Sequence, residues 1–226
     1  MSQPFYVAPE QVMKDRADYA RKGIARGRGL VSIRFDEGIV IVAENPSETL
    51  RKVSEIYDRI AFAGVGRYNE FDQLRVAGIR AADLKGFQYS RDDVDARTLA
   101  NQYAQILGNI FTHEMKPMEV EILVAEIGTA SDGDQMFHIV YDGTVFDRRD
   151  TAALGGESEA VGERLTAGFV DGMDLASAVR LGVSALAGTD RQLAPIELEV
   201  ATLTRGSDRR CFGRLADEAV STILAG

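Results

Sequence analysis

The chain has 226 residues, 45% of them apolar, and carries 35 acidic against 26 basic side chains for a net charge of −9. That is enough apolar material for a substantial core, and the acidic balance argues against a nucleic-acid partner, because neutralising phosphates takes a basic surface. Cys211 is alone, so an internal disulfide is excluded, and His113 and His138 lie too far apart in sequence to read as a metal-ligand pair.

A first helix is predicted from Pro9, over residues 9–22. Proline suits the first turn, where its missing N–H is not needed, and Glu10 complements the positive end of the helix dipole. Met13, Ala17, Ala20 and Ile24 recur at helical spacing as one narrow apolar stripe. Glu10 with Lys14 and Asp18 with Lys22 are four-residue ion pairs worth about 0.2–0.5 kcal/mol each. Arg21, Lys22, Arg26 and Arg28 form a basic cluster, read as a solvated helix end facing its own dipole, with an acidic neighbouring subunit as the alternative.

Leu30–Phe35 and Ile39–Ala43 then read as two strands joined by Asp36-Glu37-Gly38. A turn cluster from Glu44 to Thr49 leads into Lys52–Arg59 and a buried strand at Ile60–Gly66. Helices are expected over Arg67–Leu84, with Phe71, Leu74, Gly78 and Ala82 on one face, and over Asp95–Glu114, with Leu99, Tyr103, Ile106 and Ile110 inward. Asp92, Asp93 and Asp95 are ready caps.

Strands resume at Val120–Ile127 and Met136–Tyr141, the latter turning at Asp142-Gly143 as a two-residue hairpin. A short strand at Ala152–Leu154 follows. Two more helices carry Val161, Leu165 and Phe169, and then, behind an Asp174 cap, Leu175, Val179, Val183 and Leu186. The chain closes with strands at Glu197–Leu203 and Arg210–Phe212 and a helix holding Ala216, Ala219, Val220 and Ile223. Runs of strands alternating with pairs of helices disfavour a doubly wound sheet and favour antiparallel sheets under helices, an α+β class. With no linker, repeat or low-complexity tract, one domain over 1–226 is the simplest division.

Motifs for chemistry are few. Gly64-Val65-Gly66-Arg67-Tyr68-Asn69 is a fragment of a dinucleotide fingerprint without its third glycine, and is read as small residues that let a helix approach a sheet. There is no Gly-Lys-Ser/Thr phosphate loop and no Gly-x-Ser-x-Gly elbow. No cofactor and no metal are expected. No apolar run nears the ~20 residues needed to cross a membrane. The opening Met-Ser-Gln-Pro-Phe-Tyr lacks the regions of a signal peptide, so a soluble cytoplasmic protein is expected.

One ordered series of motifs carries a resemblance. Ala8-Pro9-Glu10 opens the first helix, Tyr19-Ala20 and Lys22-Gly23 close it, and a hairpin follows at once. Together with Ala20-Arg21-Lys22-Gly23-Ile24-Ala25-Arg26, Val42-Ala43-Glu44-Asn45-Pro46-Ser47 and Glu55-Ile56-Tyr57-Asp58-Arg59, this resembles the α-type subunits of the 20S proteasome, closest to the actinobacterial branch, from about Pro4 to Leu224. The resemblance implies a four-layer α-β-β-α sandwich of two antiparallel sheets over 30–226, preceded by the helix at 9–22 and a gating tail at 1–8.

It also implies a division of labour. Proteasome β-type subunits use an N-terminal threonine whose own amine is the base. Here Gly23-Ile24-Ala25-Arg26 lead into the first strand, and no threonine precedes Thr49, so no peptidase chemistry is expected on this chain. Glu44 and Lys52 stand where two partners of that site would be. In α-type relatives a lysine at the Lys52 point lines a pocket between subunits and receives the C-terminal carboxylate of an activator. The tail Ser2, Gln3, Pro4, Phe5, Tyr6, Val7, Ala8 and Pro9 would be the gate; Val7-Ala8 after Tyr6 replaces the hydrogen-bonded Tyr-Asp-Arg form with an apolar plug. The implied partners are a homo-heptameric α ring, β subunits, a ring ATPase or simpler activator, and unfolded protein in transit. The competing readings are an active N-terminal-nucleophile hydrolase and a small-ligand-binding α+β domain.

Overall fold

The computed structural model describes residues 8–206 and 209–226. Ten strands and six helices are ordered α1 (Pro9–Ile24), β1 (Leu30–Phe35), β2 (Gly38–Glu44), β3 (Val53–Tyr57), β4 (Ile60–Gly66), α2 (Tyr68–Gln88), α3 (Ala96–His113), β5 (Val120–Glu126), β6 (Gln135–Ile139), β7 (Val145–Arg148), β8 (Thr151–Leu154), α4 (Ser158–Gly168), α5 (Leu175–Ala187), β9 (Leu198–Thr204), β10 (Phe212–Arg214) and α6 (Asp217–Ala225) among the described residues. They build two five-stranded antiparallel sheets, β10-β9-β2-β1-β8 and β3-β4-β5-β6-β7.

The two-residue side-chain period of a strand sorts these strands into layers. In β2, Ile39, Ile41 and Ala43 point between the sheets, where they meet Ala61, Ala63, Leu123 and Ala125. Val40 and Val42 point the other way, into Val179, Val183 and Leu186 of α5. On the second sheet Ile60, Phe62, Ile122 and Val124 face Phe71, Leu74, Leu99 and Tyr103 of α2 and α3. Helix, sheet, sheet and helix therefore stack as four layers, as the resemblance implied. β2 along its whole length and β4 as far as Val65 are buried on both faces, which explains why they read as unbroken apolar runs.

The glycine fragment has a packing role. A Cβ on Gly64 would lie 2.7 Å from the ring of Phe71, so the bare backbone lets α2 approach β4. Gly66 has φ +102°, in the region glycine adopts freely, and its missing Cβ makes room for the Glu119 carbonyl. α2 continues to Gln88, past the expected Leu84. Asp95 is the cap that begins α3, its side chain accepting from the Thr98 N–H at 2.7 Å. Asp174 does the same for Ser177 at the start of α5.

Three expectations are corrected. On α3 the buried stripe runs Leu99, Tyr103, Leu107, while Ile106 is 36% exposed and Ile110 half-buried. Steps of three and four residues are equally helical, and packing against Phe137 and Ile139 of β6 selects the latter. The strand expected at Met136–Tyr141 ends at Ile139, and residues 140–144 connect it to β7. Val140 donates to the Thr144 carbonyl and Gly143, at φ +87°, donates to that of Val140, which closes a five-residue turn instead of two. The last hairpin strand lies at Phe212–Arg214, two residues later than expected.

α1 stands apart from the layers and packs across the ends of β4 and β5. Only the second half of its predicted stripe touches the body: Ala20 and Ile24 are buried, whereas Met13 and its neighbour Val12 are each 38% exposed. Gly23 lies against Glu119, and a Cβ there would be 2.1 Å from Glu119 Oε1. Arg16 donates to the Ile110 carbonyl at 3.1 Å and to that of Glu114, satisfying carbonyls at the end of α3. Arg21 Nε donates to the Tyr141 hydroxyl at 3.0 Å.

Candidate functional site

The site lies where β1 begins, β2 ends and β3 begins. Pro46 cannot extend the ladder, so the chain leaves β2 after Glu44 and turns. Asn45 organises that turn: its Oδ1 accepts from the Ser47 N–H at 3.2 Å, and its Nδ2 donates to the Leu50 carbonyl and to Glu199 Oε2, both at 2.8 Å. Ser47 Oγ accepts from the Leu50 N–H at 3.1 Å. The chain then enters β3 through Lys52 and Val53, whose N–H groups donate to Glu199 at 2.8 and 3.3 Å. Glu199 is 4% exposed and is neutralised by Arg214, which also donates to the Val53 carbonyl. One buried carboxylate of β9 thus holds the whole segment that presents Lys52.

Lys52 Nζ donates to the Arg28 carbonyl at 2.5 Å, and its side chain is half-buried. Burial lowers its pKa to about 8, outweighing the pull of Glu44 and Glu199 and helped by Arg28. The charged form is disfavoured in the fold below about pH 8, and that penalty is relieved as pH rises from there towards the ordinary lysine value of 10.5. Lys52→Met should accordingly be more stable than the parent at pH 7. The gap between their thermal midpoints should shrink between pH 8 and 10.5; a constant gap would refute the shift.

Glu44, at the end of β2, is 2% exposed. It is ion-paired with Arg28 and with Arg191 Nη1, the latter at 3.0 Å, and Arg191 also donates to the Leu186 carbonyl at 2.8 Å. Arg28 therefore stands between the two residues singled out in sequence, its carbonyl on Lys52 and its guanidinium on Glu44. Arg28 is exposed, as expected of the basic cluster, but it lies beyond the end of α1 and its guanidinium pairs with a buried carboxylate instead of facing the helix dipole. Lys22 and Arg26 are exposed, and Arg21 reaches Asp18 at 3.6 Å. A cleft of about 500 Å³ opens beside Arg28, lined by residues 25–29, Glu44, Ser158 and Arg191 among others.

Ala25-Arg26-Gly27-Arg28-Gly29 contains no hydroxyl or thiol. Of the gate residues, Ser2, Gln3, Pro4, Phe5, Tyr6 and Val7 lie outside the described residues. Ala8 is exposed and its carbonyl accepts from the Gln11 N–H at 2.9 Å, and Pro9 opens α1. His113 is exposed on α3, with Nδ1 3.2 Å from the Asn109 carbonyl. His138 sits between the sheets, 6% exposed, with Nε2 3.3 Å from Glu121 Oε2. No described group of His, Cys, Asp and Glu could hold a metal ion, and no described helix is long and apolar enough to cross a membrane.

Sequence reasoning missed Asn45, Glu199, Arg191 and Arg214. Only Glu199 left a trace, as a carboxylate between Leu198 and Val200 in an otherwise apolar strand. Asn45 was read only as part of a turn cluster, and Arg191 and Arg214 are surface-type residues whose partners Glu44 and Val53 are distant in sequence.

A four-layer sandwich with a helix laid over its sheet ends is the fold that the resemblance implied, and similarity to known proteins gives the same family. The family model described as Proteasome subunit matches residues 24–203, and the chain belongs to that family. It is similar over its whole length to α-type members. The Proteasome subunit alpha of Acidimicrobium ferrooxidans is 59% identical, covering 99% of this chain and 97% of that protein. Those of Sanguibacter keddieii and Kineococcus radiotolerans are each 53% identical over 100% of this chain, covering 90% and 99% of their own lengths.

Proposed function

We propose that this chain is a non-catalytic, gate-forming α-ring subunit of a 20S proteasome core. Seven copies form an outer ring on a ring of β subunits, and the particle admits unfolded protein to a proteolytic chamber in the cytoplasm. The chain acts as one domain, with residues 1–8 and Pro9 as gate and Lys52 as the point where a ring ATPase or simpler activator docks its C-terminus.

The observation that carries this reading is Arg28. It occupies the space between Glu44 and Lys52 at the start of β1, where a hydrolase of this fold would need a nucleophile with a free amine. The chain ahead of it is folded into α1 and anchored by Ala20, Gly23 and Ile24, which leaves no free terminus at the strand. The exposed outer half of α1, with Val12 and Met13, suits a contact with a neighbouring subunit. Lys52 suits a carboxylate, as a compact charge on a long stem. One of its donors is committed to Arg28, which leaves two for a ligand.

Native mass spectrometry of the chain alone and with its β partner, with peptide cleavage assayed in the same tubes, tests the assembly. The expected result is an inert chain alone and a particle of about 28 subunits with peptidase activity only on mixing. Cleavage by this chain alone, with a shortened N-terminus, would overturn the reading.

The docking claim has its own test. Lys52→Ala should weaken binding of a free-carboxylate activator peptide to the assembled particle by at least about tenfold, in keeping with loss of a charge-assisted hydrogen bond. Affinity for the parent should fall as pH rises through about 8. Equal binding of the C-terminally amidated peptide would sink it.

A further inference from the structure

We propose that Lys52 is the preferred site at which acyl donors, namely acyl phosphates and acyl thioesters, modify this chain, and that its acylation closes the docking site. The second half rests on the docking reading above.

The chain has only five lysines: Lys14, Lys22, Lys52, Lys85 and Lys116. Lys85 Nζ lies 2.8 Å from Asp95 Oδ2, and Lys116 Nζ lies 2.7 Å from Glu70 and 2.9 Å from Glu119. An ammonium held by carboxylates keeps its proton and has no lone pair to offer. Lys14 and Lys22 are exposed on α1, where water solvates a compact ammonium strongly.

Lys52 differs from all four. Its side chain is half-buried, and the hydrogen-bond partner of its Nζ is a backbone carbonyl, not a carboxylate. A carbonyl accepts an N–H from an ammonium or from a neutral amine, so it does not hold the proton as a carboxylate would. In the neutral amine it fixes one N–H and turns the lone pair away from Arg28. Burial adds to this by lowering the pKa of the amine.

The reaction needs no cofactor and no redox partner. The neutral Nζ attacks the acyl carbon, and a new C–N bond forms as the C–O bond of an acyl phosphate or the C–S bond of a thioester breaks. Phosphate or thiolate leaves with the electron pair, and the proton from nitrogen passes to solvent. The product is an uncharged amide that can no longer pair with a carboxylate, and its added acyl group fills the space the ligand would take.

The test treats the full chain with limiting acetyl phosphate at pH 7 and follows each lysine by site-resolved mass spectrometry, in the folded state and in concentrated guanidinium chloride. In the fold, Lys52 should react at least about tenfold faster than Lys14 or Lys22, with Lys85 and Lys116 slower still, and the preference should vanish on unfolding. Lys52 reacting no faster than Lys14, or keeping its preference when unfolded, would overturn the assignment.

Binding of the free-carboxylate peptide is measured in parallel on the assembled particle carrying acetylated chain or Lys52→Ala. Loss of binding in both supports closure of the site. Binding retained in both refutes docking at Lys52 and leaves the reactivity assignment standing. Binding lost in Lys52→Ala, with no preferential acylation of Lys52 in the parent, refutes the present inference alone.

Discussion

Glu199→Ala should destabilise the fold by about 3–5 kcal/mol, the range for removing one partner of a buried ion pair. The carboxylate accepts from Asn45 Nδ2 and from the N–H groups of Lys52 and Val53, and it neutralises Arg214. Alanine leaves these donors facing a void and Arg214 without its counter-charge. Urea unfolding would show the loss as a lower midpoint at unchanged slope. Arg214→Met in the same chain should restore part of it, because the uncompensated cation is then gone, so the two substitutions will not add. The docking proposed at Lys52 should also fail in Glu199→Ala although Lys52 is intact, because the segment from Asn45 to Val53 loses its anchor. A loss below 1 kcal/mol would mean that Glu199 does not hold this segment.

Gly23→Val should destabilise by about 2–3 kcal/mol, at the upper end of what overpacking a buried contact costs. Gly23 lies in the last turn of α1 without a positive φ, so its role is close approach and not an unusual dihedral. A Cβ would meet Glu119 Oε1, Cδ and Cγ within 2.5 Å. Glu119 is 5% exposed and held by Arg67 at 3.1 Å and Lys116 at 2.9 Å, so it cannot swing away without breaking those pairs. The cheaper response is for α1 to lift off β4 and β5. Trypsin should then cut at Arg21 and Lys22 much faster than in the parent. Adding Glu119→Ala should relieve the clash, a coupling opposite in sign to simple addition. Unchanged cleavage at Arg21 would show that α1 is not seated through this contact.

Much of the architecture was legible because it is written in local patterns. Apolar runs of five and seven residues marked β2 and β4, Asp95 and Asp174 marked helix starts, and Asp36-Glu37-Gly38 marked a hairpin. Chain order gave the α+β class, and the four layers came from family resemblance rather than periodicity. Lys52 and Glu44 were picked out for the same reason. A lone lysine on a polar turn carries no signal of its own, since nothing nearby in sequence shows that its amine ends on a carbonyl 24 residues earlier.

What the sequence determined by itself was the alternation of buried and exposed residues, the helix caps, and the lack of a hydroxyl or thiol between Ala25 and Gly29. Each of these depends on neighbours within a turn or two of chain. What only the tertiary structure decided was the choice of Leu107 over Ile106 on α3, the seating of Gly23 on Glu119, and the place of the exposed Arg28 as the link between Glu44 and Lys52. Those outcomes turn on which helix faces and strand ends meet. Both are set by packing between residues far apart in the chain, where side-chain periodicity has no reach.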